Sequence, residues 1–189
     1  MHSIAASIRV EAPVADCYEA WLDFERYPTF MRRVVSVHWV GSQGLFPSGR
    51  PAMQDTEDPQ KDYEGTLVTE LLHEVETHGS QVWHWQIKGP LGQLYEWTAG
   101  LTMNQPHKAL SWVSMPEQEL PSTGTVNFMK TPDSTPSNEK TLISVTMSFS
   151  PPGGALGELF SDISQYGDNL LNEALEDFKI YMEREFSQT

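Results

Sequence analysis

His73, Glu74 and His78 are the residues whose order most invites a chemical reading, because a His-Glu-x-x-His run on a helix places two imidazoles on zinc and a carboxylate as general base. The spacing here breaks that chemistry. The histidines are five positions apart, which turns the second by about 140° from the first on a helix and sends it to the opposite face of a strand. Surface histidines are therefore the expectation. Cys17 is the sole cysteine; it sits on an apolar stripe with no neighbouring His or cation to lower its pKa, so a core thiol is expected rather than a nucleophile. The run Pro151 to Gly157 is glycine-rich but lacks the Gly-Lys-Ser/Thr end of a phosphate loop, and reads as a turn into a helix. Free N–H groups at Gly154 to Gly157 could still receive an anionic ligand head. Tyr18, Tyr95, Tyr166 and Ser114 are polar groups able to orient a ligand oxygen or to satisfy backbone groups. No Ser-His-Asp order, carboxylate pair or metal quartet stands out, and no catalytic residue, cofactor or metal is expected.

The elements that would position such groups carry bulky side chains at regular spacing. Trp83, Trp85 and Ile87 share one parity, as do Tyr95, Trp97, Ala99, Leu101 and Met103, then Leu110 and Trp112, with mostly polar residues between them. This predicts three antiparallel strands with one buried face, turning at Gly89-Pro90-Leu91-Gly92 and Asn104-Gln105-Pro106. Two more strands are expected at 125–130 and 141–149, with Phe128, Val145 and Met147 on the same face. The cover is a long amphipathic helix within 154–186, where Phe160, Ile163, Leu171 and Phe178 recur at helical spacing.

Upstream, Ile4, Ala6, Ile8 and Val10 alternate with more polar residues as a first strand; Pro13 ends it and opens a short helix carrying Val14, Cys17, Tyr18, Trp21 and Leu22. A second helical piece around Asp23 to Phe30 is broken at Pro28 before a strand resumes over 34–40. Residues 41–65 hold scattered Gly and Pro among polar residues and read as a long, flexible loop. Residues 67–75 are read as a strand. The expected order is strand, two short helices, six or seven antiparallel strands, long helix.

The chain has 189 residues, enough for one domain over 1–189, and a net charge of −14 that opposes phosphate backbones, so nucleic acid is not an expected partner. No apolar run approaches the ~18 residues of a transmembrane segment, and no basic, then apolar leader begins the chain. With a lone cysteine this predicts a cytoplasmic protein.

In their order along the chain, several segments resemble the START-like, helix-grip (SRPBCC) superfamily, in its polyketide cyclase/dehydrase and lipid-transport branch. They are Ala12-Pro13-Val14, Trp21-Leu22-Asp23 with Tyr27-Pro28-Thr29-Phe30, His84-Trp85, Lys88-Gly89-Pro90-Leu91-Gly92, Glu96-Trp97, Leu110-Ser111-Trp112-Val113-Ser114, Gly124-Thr125-Val126-Asn127-Phe128, Pro151-Pro152-Gly153-Gly154 and Leu175-Glu176-Asp177-Phe178-Lys179. The resemblance implies an α+β helix-grip fold: a curved antiparallel sheet around a long C-terminal helix, with a cavity between them for a lipid, isoprenoid or polyketide-like molecule. Against that family pattern, residues 41–65 look like an insertion.

The expected function is thus binding of a hydrophobic or amphipathic small molecule, as carrier or sensor, driven by apolar burial. The expected lining comprises Tyr18 and Phe30 from the first helices, and Trp85, Tyr95, Trp97 and Leu101 from the central strands. Trp112, Phe128, Val145 and Met147 follow on later strands, and Phe160, Ile163, Leu171 and Phe178 on the last helix. Two alternatives remain: a cyclase, aromatase or dehydratase that uses a Tyr or His to move a proton, and a protein-interaction module docking a basic partner on the acidic residues 55–76.

Overall fold

The computed structural model describes residues 2–41, 81–89, 92–115, 121–149 and 163–186. Within them, strand β1 (His2–Val10) leads into helix α1 (Val14–Leu22), a 3-10 segment (Phe24–Thr29) and β2 (Val34–Gly41). Strands β3 (Val82–Lys88), β4 (Leu94–Gln105), β5 (Ala109–Ser114), β6 (Ser122–Lys130) and β7 (Thr141–Phe149) follow, and helix α2 (Ile163–Phe186) completes the described chain. Pro13 stands at the N-cap of α1, where its missing N–H costs nothing, and Pro28 lies inside the 3-10 segment.

The seven strands form one antiparallel sheet in the order β1-β7-β6-β5-β4-β3-β2. Consecutive strands from β2 to β7 are sheet neighbours, and β1 pairs with β7. Helix α2 packs along β1, α1 reaches β6, and the 3-10 segment covers β2. The expected alternation holds in the register. One face places Ile8, Ile143 and Phe128 in one cross-strand row, then Ala6, Val145, Val126 and Leu110 in the next. The following row on that face is Ile4, Met147, Gly124, Trp112 and Leu101. The outer face is largely polar: His84 Nδ1 lies 3.2 Å from Thr98 Oγ1, Gln86 donates to Glu96, and Ser111 and Thr125 hydroxyls meet at 2.9 Å. Val82, Val113 and Met115 make a small second buried cluster.

Two arginines tie the start of β2 to α2. Arg32 donates from its backbone N–H, Nε and Nη2 to the buried Asp177 carboxylate, and Arg33 grips Glu173 through Nε at 2.6 Å and Nη2 at 3.2 Å. Such fork-to-carboxylate pairs fix orientation as well as distance. Arg33 Nη1 also reaches Gly89 O at 3.4 Å, so the end of β3, the entry to β2 and α2 are held at one corner.

The structure departs from the sequence reading at the β4–β5 hairpin. A register shift after Leu101 leaves Met103 opposite Ser111 and brings Asn104 opposite Leu110. One extra residue in a strand reverses the parity of all that follow it. Met103 therefore leaves the inner face it was expected to share, and Asn104 enters it. Asn104 and Gln105 belong to β4, and the turn itself is Pro106–Lys108, closed by Lys108 N–H to Gln105 O at 3.0 Å. His107 takes the left-handed position (φ 59) that Gly or Asn more often occupies. Strand β6 begins at Ser122, earlier than expected. Residues 42–80, with the expected strand at 67–75, His73, His78, the acidic 55–76 segment and all of the expected loop but its first residue, lie outside the described residues. So do Phe160 and Gly154 to Gly157.

Candidate ligand-binding face

Along the inner face, packing changes from row to row. In the first two rows Ile143 and Val126 are fully enclosed, and Val145 and Leu110 almost so. Their cover comes from α1, through Cys17, Tyr18 and Trp21, and from the later turns of α2, through Leu175, Phe178 and Met182. Aromatic rings interlock there edge to face: Tyr18 on Phe128 at 5.7 Å, Trp21 on Phe128 at 5.8 Å and Trp21 on Phe178 at 4.9 Å. A side chain lining a hollow wide enough for water keeps accessible surface. Phe178 at 0% and Val145 at 2% exposure face no such hollow; Phe128 and Tyr18 are also buried in this packed end.

The next row is looser. Trp112, Leu101, Met147 and Leu171 are only half-buried, although all but Leu171 sit on the same inner face. Trp85 and Trp97, paired across β3 and β4, are also half-buried and stack with ring centroids 5.9 Å apart at 4°. Gly124 explains how Trp112 is seated. A Cβ at position 124 would stand 2.1 Å from Trp112 Cζ2, so the indole lies against bare backbone of the neighbouring strand. Leu171 and Met147 pack on Ile4 at the sheet's β1 edge. The stacked Trp85 and Trp97, with Trp112 two rows away beyond the buried Trp83, Ala99 and Ser114, make an interrupted indole wall with aliphatic flanks, less enclosed than the core beside it.

The remaining expected residues take other roles in the packing. Phe30 stacks on Tyr181 (4.2 Å, 10°) beside the core. Tyr95 is buried at the end of β4, where Gln93 donates to its hydroxyl at 2.8 Å and a Cβ on Gly89 would come within 2.5 Å of its ring. Ile163 opens α2, and nothing is described of its side chain or that of Tyr166. Ser114 is buried and accepts from Ser122 N–H at 2.8 Å, so it serves the β5–β6 connection.

The polar chemistry gathers at the packed end. Tyr18 donates to Asn104 Oδ1, and the His107 ring meets Tyr18 edge-on at 5.3 Å. Burial pushes the Tyr18 hydroxyl above its ordinary pKa, and the Asn104 contact opposes that shift. Tyr18, already neutral near pH 7 at its ordinary pKa, remains a donor there. Tyr27, whose hydroxyl donates to Trp21 O at 2.6 Å, is pushed up further by burial and by Asp23. The Cys17 thiol is pushed up to about 12 by burial, which makes it a core group rather than a nucleophile. Among the described residues no cluster of His, Cys, Asp and Glu could hold a metal, and no helix is long and apolar enough to cross a membrane.

Residues 10–179 match the model of the polyketide cyclase / dehydrase and lipid transport family. The chain belongs to that family. Solved structures of the same fold include the Zhui aromatase/cyclase from a Streptomyces species, at 14% identity and TM-score 0.64, covering 97% of this chain and 94% of that one. A START superfamily protein from Mycobacterium smegmatis aligns at 10% identity and TM-score 0.59, over 97% of this chain and 99% of its own. The di-domain aromatase/cyclase StfQ of the steffimycin biosynthetic pathway matches at 12% identity and TM-score 0.57, over 98% of this chain and 52% of that one. No curated protein sequence matches. The expected helix-grip architecture is thus borne out, with seven strands and a C-terminal helix. Asn104 and Gly124 are the site residues that sequence reasoning passed over. A glycine inside the strand Ser122–Lys130 was the available signal for a close approach; Asn104 had none, because its parity depends on the register shift.

Proposed function

We propose that this protein binds one hydrophobic or amphipathic small molecule, lipid, isoprenoid or polyketide-like, between the indole wall and helix α2, as a cytoplasmic carrier or sensor. The observation that carries this reading is the half-buried state of Trp85, Trp97 and Trp112 on an inner face where Phe128, Ile143, Val126, Val145 and Leu110 are buried. Indoles present large apolar area with one polar tip, suited to a ligand that is mostly apolar. Covering about 300 Å2 of apolar ligand surface at ~25 cal/mol per Å2 would contribute roughly 7 kcal/mol before ordering costs. Leu101, Met147 and Leu171 flank the ligand in this proposal; Tyr18, Phe128, Val145 and Phe178 form the packed base behind it.

Native and denatured masses of freshly purified protein, compared for a co-purifying small molecule, test the proposal. Gly124→Val, which drives the Trp112 indole from its seat, and Trp97→Ala should each lower occupancy of that molecule while the fold persists. Folded variants with unchanged occupancy would count against the site.

A second reading, a cyclase-type enzyme, is favoured by Tyr18, Asn104 and His107 meeting at the packed end, and by the aromatase/cyclases among the related structures. The Tyr18 hydroxyl, a neutral phenol, would act as a hydrogen-bond donor to a substrate oxygen. Here Tyr18→Phe should abolish turnover and leave binding intact, whereas a carrier would lose nothing.

A further inference from the structure

At the outer edge of the sheet, a surface pocket of about 460 Å3 combines three aromatic rings with two carboxylates. Trp39 and Trp83 are register partners on β2 and β3, so their indoles project from the same face. The Phe24 ring stands edge-on to Trp83 at 4.7 Å and to Trp85 at 5.3 Å, and so adjoins the indole wall. Asp23 and Glu25 flank Phe24 in sequence and line the pocket with it. The other lining residues, Leu22 and Gln81, are neutral, so no basic side chain among the described residues lines it.

Its charges are free of ion pairs among the described residues: Asp23 and Glu25 enter none. Arg26, the adjacent cation, lies over the Tyr181 ring at 5.2 Å. Glu25 Oε1 accepts from Trp39 N–H at 3.1 Å, which holds a carboxylate beside the strand that carries the indole. Trp39 itself is 59% exposed, an unusual state for the largest apolar side chain. The face of an indole attracts a diffuse organic cation through its quadrupole, and flanking carboxylates add Coulomb attraction; a neutral apolar guest gains neither.

We infer that Trp39, Trp83 and Phe24, with Asp23 and Glu25, form a second binding site that takes an organic ammonium group. The site adjoins the indole wall at the Phe24–Trp85 contact and differs from it in its two carboxylates. Its size admits a methylated ammonium head with part of an attached chain.

The test is an NMR titration of the full chain, following the indole N–H signals of its six tryptophans, with choline chloride and separately with dimethylbutanol, the uncharged carbon isostere of choline, at constant ionic strength. Choline should move the Trp39 and Trp83 signals saturably and leave those of Trp97 and Trp112 in place. Dimethylbutanol should bind more weakly by about tenfold or more. Asp23→Asn combined with Glu25→Gln should weaken choline by a similar factor, and the exposed Trp39→Leu should remove the response while the remaining indole signals keep their folded positions. Equal affinity for the two guests, no saturable shift, or shifts confined to Trp85, Trp97 and Trp112 would each overturn the inference.

Discussion

Two neighbouring stretches of one sheet face differ in how they are finished. The rows through Phe128 and Val126 are closed over β5, β6 and β7, where Phe128, Ile143, Val126, Val145 and Leu110 are buried against α1 and the later turns of α2, while Ile8 and Ala6 at the β1 edge are half-buried. The row through Trp112 and Gly124 has the same alternation and comparably large side chains, yet Leu101, Trp112, Gly124 and Met147 remain half-buried and Ile4 at its β1 end is buried. The difference lies in the cover. Tyr18 and Trp21 on α1 meet Phe128, and Trp21 meets Phe178 on α2, whereas Leu171 packs with Met147 on Ile4 in the other row. A fold can therefore dedicate part of one apolar face to stability and part to recognition without changing the residue pattern.

The sharpest way to break that comparison is a pair of truncations. Phe178→Ala should cost about 3–5 kcal/mol by leaving a cavity in close-packed surroundings, while Trp112→Ala at the half-buried row should cost about 1–2 kcal/mol. Denaturant unfolding of both variants checks this, and equal losses would mean that the two ends are packed alike.

A smaller effect concerns the corner that holds α2 to the sheet. The Arg33 hydrogen bond holds the Glu173 carboxyl below its ordinary 4.5, against the opposing effect of burial. Because the folded value is the lower one, its stabilising contribution is complete above 4.5 and is lost as pH falls through the folded value. Glu173→Gln should accordingly flatten the acid limb of stability in that window, measured by urea unfolding across pH, and leave the neutral-to-basic limb alone. An acid limb identical to that of the parent would show that the pair contributes nothing. The smallest expected effect is at Cys17: its thiol, with a pKa near 12, should resist alkylation at pH 8 until the protein unfolds. Rapid labelling of the native protein would show that the packed end opens readily.

Much of the sheet was legible because strand faces repeat every second residue, a period that needs no knowledge of partners. Trp83, Trp85, Trp97, Leu101 and Trp112 were placed on one face from spacing alone, and β7 was expected over the residues it occupies. The core role of Cys17 was likewise readable from its place on an apolar stripe. Asn104 was not, since a register shift is set by how two strands fit each other and leaves no mark in a single strand's alternation. The Arg32–Asp177 and Arg33–Glu173 pairs join residues about 140 positions apart, beyond any local pattern.

By itself, then, the sequence determined which faces are apolar, where the chain turns, and, through the order of its motifs, the family fold. Periodicity and turn chemistry are local and act at every position. Only the tertiary structure decided which part of the apolar face is closed and which is left half-covered, why position 124 must lack a side chain, and that two carboxylates meet three aromatic rings at the sheet edge. Those outcomes depend on the distance between elements far apart in the chain, which packing sets and spacing along the sequence does not.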